Sequence, residues 1–199
     1  MLRNRSSSKL RPLVKVFCWS LVAALMLITA ATASQNENSS PEIKDFEQRI
    51  NKYLDAEKAQ NISNKPSASA SKIAEQKKEA EQKVREAHPA AKQGDIFTLE
   101  IGAYFKKQLA ATFQGPDGEK VRKSLNRAEP LPNIPLRVNQ KYPRELPLQS
   151  MPPTLLLNLP RLPNGLQYRI VGTTLVLYDV SSDLIADLLP NALPGGVGQ

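Results

Sequence analysis

The sequence predicts an α+β protein. Its parts are three to four N-terminal helices, a proline-rich extended belt and a C-terminal three-stranded antiparallel β-meander. Three observations carry this. Apolar residues recur at helical spacing from Ile43 to Leu125. Nine prolines fall within the 35 residues from Glu129 to Pro163. Finally, "YRIVGTTLVLYDVSSDLIADLLP", Tyr168 to Pro190, sets apolar runs on either side of two turn signals.

The first 33 residues read as a secretory signal peptide. Arg3, Arg5, Lys9, Arg11 and Lys15 form a basic start, Val16 to Ile28 an apolar run, and Ala31-Thr32-Ala33 a small-x-small site. Cleavage is expected between Ala33 and Ser34. The competing reading is a retained anchor, but the apolar run is short of the ~20 residues a spanning helix needs. Cleavage removes five cations, leaving 22 Lys and Arg against 19 Asp and Glu, a net charge of +3. The high isoelectric point is thus a property of the leader and does not mark a nucleic-acid binder. Cys18, the single cysteine, leaves with the leader. The exported chain cannot be a disulfide scaffold and must be held by a packed core. Its 166 residues suffice for one domain, with residues 34–40 a polar, disordered start.

The helical region spans 41–128. Ser39 or Ser40 caps the first helix, Pro41 suits its first turn, and Ile43, Phe46, Ile50, Tyr53 and Leu54 share one face. "NISNKPSASAS" is a linker. The second helix, Ser71 to His88, has a thin stripe of Ile73, Ala80, Val84 and Ala87. Glu79–Lys83 and Glu81–Arg85 form i,i+4 pairs. Its lysines are balanced by Glu75, Glu79, Glu81 and Glu86, so it reads as a solvated face without a basic stripe. The third helix, capped by Thr98, carries Ile101, Phe105, Leu109 and Phe113 and stops at Gly115-Pro116. Asp117 caps a short fourth helix with Val121 and Leu125.

The belt, 129–163, is neither regular helix nor central strand, with one helical turn possible from Pro153 to Asn158. Rich in Leu, Ile and Val, it is expected to lie against the domain and cover the sheet, the alternative being an open sheet edge that accepts a strand from a partner. Its prolines blunt an edge and do not extend a ladder. The meander, 164–190, has strands Gln167–Val171, Thr174–Asp179 and Leu184–Asp187. Gly172-Thr173 is a two-residue turn of the II′ kind, and Val180 to Asp183 a longer polar turn. Residues 191–199 form a flexible tail.

Motifs for chemistry are missing. With one histidine, His88, an imidazole-based triad or metal site is not supported, and no G-x-S-x-G occurs. His88 reads as a helix C-terminal residue favoured by the dipole. Asp179, Asp183 and Asp187 recur every four residues but lack the Gly and terminal Glu of a calcium loop, and regular β alternation keeps them off a common face. They read as turn and strand-end carboxylates. Glycine-rich phosphate loops are absent, and the aromatics sit at core spacings.

Three stretches, "AAKQGDIF" (Ala90 to Phe97), "PLRVNQKYP" (Pro135 to Pro143) and "LPRLPNGLQYRIVGTTLVLYDVSSDLIADLLP" (Leu159 to Pro190), together resemble an uncharacterised family of short exported bacterial proteins. The resemblance implies a location and a fold type but no activity. The Y-R-x-V-G…L…D…L-I-x-D shape also resembles the terminal β-element of small periplasmic proteins of the nickel/cobalt-homeostasis type. Metal homeostasis is not carried over, since the ligands for it are not supplied.

The expectation is an exported protein, periplasmic or secreted, that binds or supports without catalysis. No catalytic, cofactor-binding or metal-ligating residue is assigned. The reading leaves room for an unknown envelope protein as partner, with no nucleic acid and no membrane after cleavage, and leaves the oligomeric state open. Two alternatives stand: a carboxylate-dependent hydrolase using Asp95, Asp179 or Asp183, and a membrane-tethered accessory protein that retains the leader.

Overall fold

The computed structural model describes residues 40–62, 69–126, 134–146 and 151–194, which all fall within one unit, Asn38–Gln199. The leader, the cleavage point Ala33–Ser34, residues 34–39 of the polar start, the tail beyond 194 and belt residues 129–133 and 147–150 lie outside the described residues. Ala192 and Leu193, at the start of the expected flexible tail, are instead buried and donate to the Thr173 carbonyl.

Helix α1, Pro41–Ala59, starts on Ser40, whose hydroxyl accepts from the Ile43 amide at 3.3 Å. It buries Ile43, Phe46, Ile50 and Tyr53 of the predicted stripe, leaves Leu54 half-buried against the core, and buries one residue beyond, Glu57. Helix α2, Ala70–Ala87, buries Ala80 and Val84 only, and Ile73 is left 41% exposed. Lys83–Glu79 and Arg85–Glu81 pair along its surface. Helix α3, Leu99–Gln114, is capped by Thr98 and buries Ile101, Phe105, Leu109 and Phe113 completely or nearly so. Helix α4 runs Gly118–Asn126, and a Cβ on Gly118 would lie 2.1 Å from the Phe113 carbonyl oxygen, so this close approach needs glycine. A single turn, α5, Pro153–Leu156, interrupts the belt.

Strands β1 (Leu166–Val171), β2 (Thr174–Asp179) and β3 (Leu184–Leu189) form an antiparallel sheet in chain order. The α+β arrangement read from the sequence is therefore present. Val171 pairs with Thr174, so Gly172-Thr173 is the two-residue turn, and Gly172 takes φ +57° at its first position. Strand β3 runs two residues past its expected end, to Leu189, because Pro190 stops it.

The register shifts where Leu177 opposes Asp187 and Tyr178 opposes Ile185, leaving Ala186 as the extra residue of a bulge. The three acids do not all share a face, as expected, since Asp183 sits in the turn and accepts from Tyr178 on the belt side, but two of them do. Leu177 and Asp179 lie on one face of β2, and the bulge sets Asp187 opposite Leu177, so Asp179 and Asp187 do face the same way. Leu166, Tyr168, Ile170, Leu175, Leu177 and Leu189 pack against the helices on that face. Phe46 of α1 lies 5.0 Å from Phe105 of α3, ring centre to ring centre, and 6.5 Å from Tyr168 of β1.

The other face carries Val176, Tyr178, Ile185 and Leu188, covered by Tyr142 and Leu146 of the belt. Beyond covering it, the belt also adds to the ladder, contrary to the expectation drawn from its prolines. Asn139 N–H donates to Ile185 O at 2.8 Å, Ile185 N–H to Gln140 O at 2.9 Å and Tyr142 N–H to Asp183 O at 3.0 Å, around a Lys141–Leu184 bridge. The physical reason is local: between Pro135 and Pro143 the belt has no proline, so its amides remain available to β3. Among the described residues, no helix is long and apolar enough to cross a membrane.

Candidate functional site

The last turn of α1 and the end of β2 bring together a buried polar group that the sequence pattern did not single out. Glu57 is one turn beyond Tyr53 on the apolar stripe and is 7% exposed. It meets Asp179, which is 1% exposed. Burial, first, and then the Asp179 charge push Glu57 up to about 8. At neutral pH it is a neutral acid able to donate to Asp179, while its Oε1 has no hydrogen-bond partner among the described residues. Burial and the neighbouring charges of Asp179 and Glu57 also hold the Tyr53 phenol far above its usual range. On the other side, Asp179 grips its own turn. Oδ1 accepts from Ser181 N at 2.8 Å and Ser181 Oγ at 2.6 Å, and Oδ2 accepts from Ser182 Oγ.

His88 is the C-cap of α2, as its position suggested, but the reason given for it is corrected. Its ring stacks on Tyr53 at 4.3 Å, nearly parallel, and burial lowers its pKa below the usual histidine range. It is a neutral ring in a packed contact, not a cation favoured by the helix dipole.

Asp187, 0% exposed, is not a strand-end carboxylate as the sequence suggested. The amides of Gly94, Ile96, Phe97 and Leu188 donate to it at 2.7–2.9 Å. Burial raises its pKa and these bonds pull against the rise. Its role in the geometry is to fix the loop that leads into α3.

Two cavities flank the buried group. One, about 440 Å³, lies over Tyr53 and His88 and takes in Arg49, Lys52, Asp95 and Ala186. There Asp95 is tied to its own loop, accepting from Lys92 N at 2.9 Å, and its carbonyl accepts from Arg49 at 2.8 Å. The second, about 720 Å³, is a cleft between α2 and the belt, lined by Lys77, Lys78, Glu81, Lys141, Arg144 and Asp183 among others. Lys141 bonds to Glu81 at 2.7 Å, Arg85 reaches the Asn139 carbonyl, and Asn139 donates to His88 O at 3.0 Å, which together fix the cleft walls.

On the belt face, Arg169 lies between two tyrosine rings, 3.4 Å from the Tyr178 centre and 4.7 Å from that of Tyr142. The pair of rings stabilises a nearly buried cation whose Nη1 has no partner among the described residues. The Tyr178 hydroxyl donates to Asp183 and its pKa is raised well out of the ordinary range, by burial first.

The three acids singled out from sequence are thus apart. Asp95 lines one cavity, Asp183 the other, and Asp179 neither. Among the described residues no group of three His, Cys, Asp or Glu side chains is placed to hold a metal ion. Glu57 could have been found from sequence, since 43, 46, 50, 53 and 57 continue one helical stripe. The chain matches no family model, no curated protein and no solved structure.

Proposed function

We propose that this is an exported envelope protein that acts by binding or structural support and not by catalysis. The supporting observation is where its acids lie. Glu57, with its raised pKa, sits beside Asp179, which is the arrangement a hydrolase would use. Yet neither residue lines either of the two cavities described, and Ser182, which reaches the wall of the second, is 0% exposed and already donates to Asp179. The cavities instead present cations, an aromatic ring and short apolar side chains, which is the composition of a recognition surface. The leader and the resemblance of the terminal block support export.

The test is a turnover screen of the purified chain with ester, phosphomonoester, glycoside and peptide substrates, between about pH 5 and about pH 9 where Glu57 changes charge. No turnover above buffer is expected. Activity that disappears in both Glu57→Gln and Asp179→Asn, with folding retained, would overturn the reading. Cell fractionation should recover the chain in the envelope or the medium, and recovery in the cytoplasm would overturn export.

A further inference from the structure

The geometry points to the cleft between α2 and the belt as a binding site for a phosphate monoester bearing an organic group. This rests on the reading of the protein as a binding module and names the ligand class. Four cations, Lys77, Lys78, Lys141 and Arg144, face the cleft against two acids, Glu81 and Asp183, a formal excess of two positive charges. Both acids are already engaged: Glu81 bonds to Lys141 and Arg85, and Asp183 accepts from Tyr178. Lys77, Lys78 and Arg144 make no ion pair with another described residue. Cations gathered on one cleft repel, and a divalent anion removes that repulsion while a monovalent one removes half of it. A phosphate monoester carries about −1.5 to −2 at neutral pH and matches the excess.

Two further features agree. The first turn of α2 reaches the cleft through Ala70 and contains no acidic residue, so the positive end of the helix dipole lies on the cleft side. Beside the cations, Ala70, Ile73 and Ala74 form an apolar wall at helical spacing, and Ile73 is 41% exposed. Such a wall suits the organic part of an ester better than free phosphate. At about 720 Å³ the cleft has the size of a small-molecule site.

Calorimetric titration of the full-length chain with hexyl phosphate, at low salt and about pH 7.5, tests this. Lys77→Ala and Arg144→Ala should each weaken binding about five- to ten-fold, the size of one lost charged contact. The double variant Lys77→Glu, Lys78→Glu should abolish it, and Lys106→Ala on the exposed side of α3 should not change it. These are surface positions, and unchanged melting curves will show that the variants fold. Hexyl sulfate, a monoanion with the same chain, should bind about ten-fold more weakly, and inorganic phosphate more weakly than hexyl phosphate. Vesicles with phosphatidic acid identify the source. Capture that is lost in the double variant assigns a lipid headgroup, and absent capture with hexyl phosphate binding intact assigns a soluble ester. Undetectable hexyl phosphate binding, binding unchanged in the double variant, or equal affinity for hexyl sulfate overturns the site and leaves the binding-module reading standing. Release of inorganic phosphate from bound ester overturns the non-enzymatic reading and leaves the site standing.

Discussion

Glu57 makes the protein sensitive to alkali in a way that one substitution should remove. Its carboxyl ionises at 4.5 in the unfolded chain and at about 8 in the folded one. Between those values the folded state binds the proton more tightly. The stability it contributes is therefore fully present below the lower value and is lost as pH rises through the upper one. Each tenfold gain in proton affinity on folding corresponds to about 1.4 kcal/mol, so the whole window is worth roughly 3–5 kcal/mol. Other groups do not mimic this. Asp187 acts in the same direction from the acid end of the window, His88 opposes it below the ordinary histidine value, and the raised tyrosines act only above theirs. Glutamine keeps a donor for Asp179 and cannot ionise. Glu57→Gln should match the wild type at about pH 5 and exceed it at about pH 9 by roughly 3–5 kcal/mol. Urea denaturation of both chains across that range, followed by circular dichroism, measures the difference. Two stability curves that run parallel from neutral to alkaline pH would refute the assignment of Glu57 as a buried neutral acid.

Phe105→Ala removes a fully buried ring from the α1–α3–β1 contact and should cost roughly 3–5 kcal/mol. Lys83→Ala on the surface of α2 should cost less than about 0.5 kcal/mol, and equal denaturation midpoints would show the helix faces to be misassigned. Asp187→Asn turns an acceptor of four amides into a group with one accepting oxygen, costing about 2–3 kcal/mol. Amide exchange at Ile96 and Phe97 should speed up with it, and unchanged exchange there would argue against the clamp. The exported species should begin at Ser34 and lack Trp19 and Cys18, giving tyrosine-like emission and no thiol titre. A tryptophan-containing full-length chain recovered from membranes would favour the anchor.

Helices α1 and α3 were legible because each buries one stripe, and the β1–β2 hairpin because Gly172-Thr173 fixes its own turn. What stayed hidden depends on pairing between distant segments. Regular alternation cannot reveal a bulge at Ala186, since an extra residue is defined only against β2, and Asp187 was misread for that reason. The belt looked like a proline-blunted cover because proline content was averaged over 35 residues, while the pairing occurs in its proline-free middle. The cleft escaped notice because Lys77 and Lys78 are balanced within α2, and the cations that tip the balance, Lys141 and Arg144, sit in the belt. Arg169 was unremarked because the two rings around it come from β2 and the belt.

The sheet comes last in the chain, and that order has a consequence for how the molecule is made. Phe46 and Phe105 meet each other, Phe97 and Tyr168, so the apolar sides of α1 and α3 are completed by strands synthesised more than fifty residues later. The belt residues that pair with β3 wait for it across some forty residues in the same way. A nascent chain that lacks β1 to β3 has helices that touch one another but leave their sheet-facing sides uncovered, and short helices with little to bury are marginal in water. Ordering therefore arrives late and all at once, after the C-terminal strands are available to both faces. For the export proposed above, such a layout would keep the chain open to threading until its last strands are available.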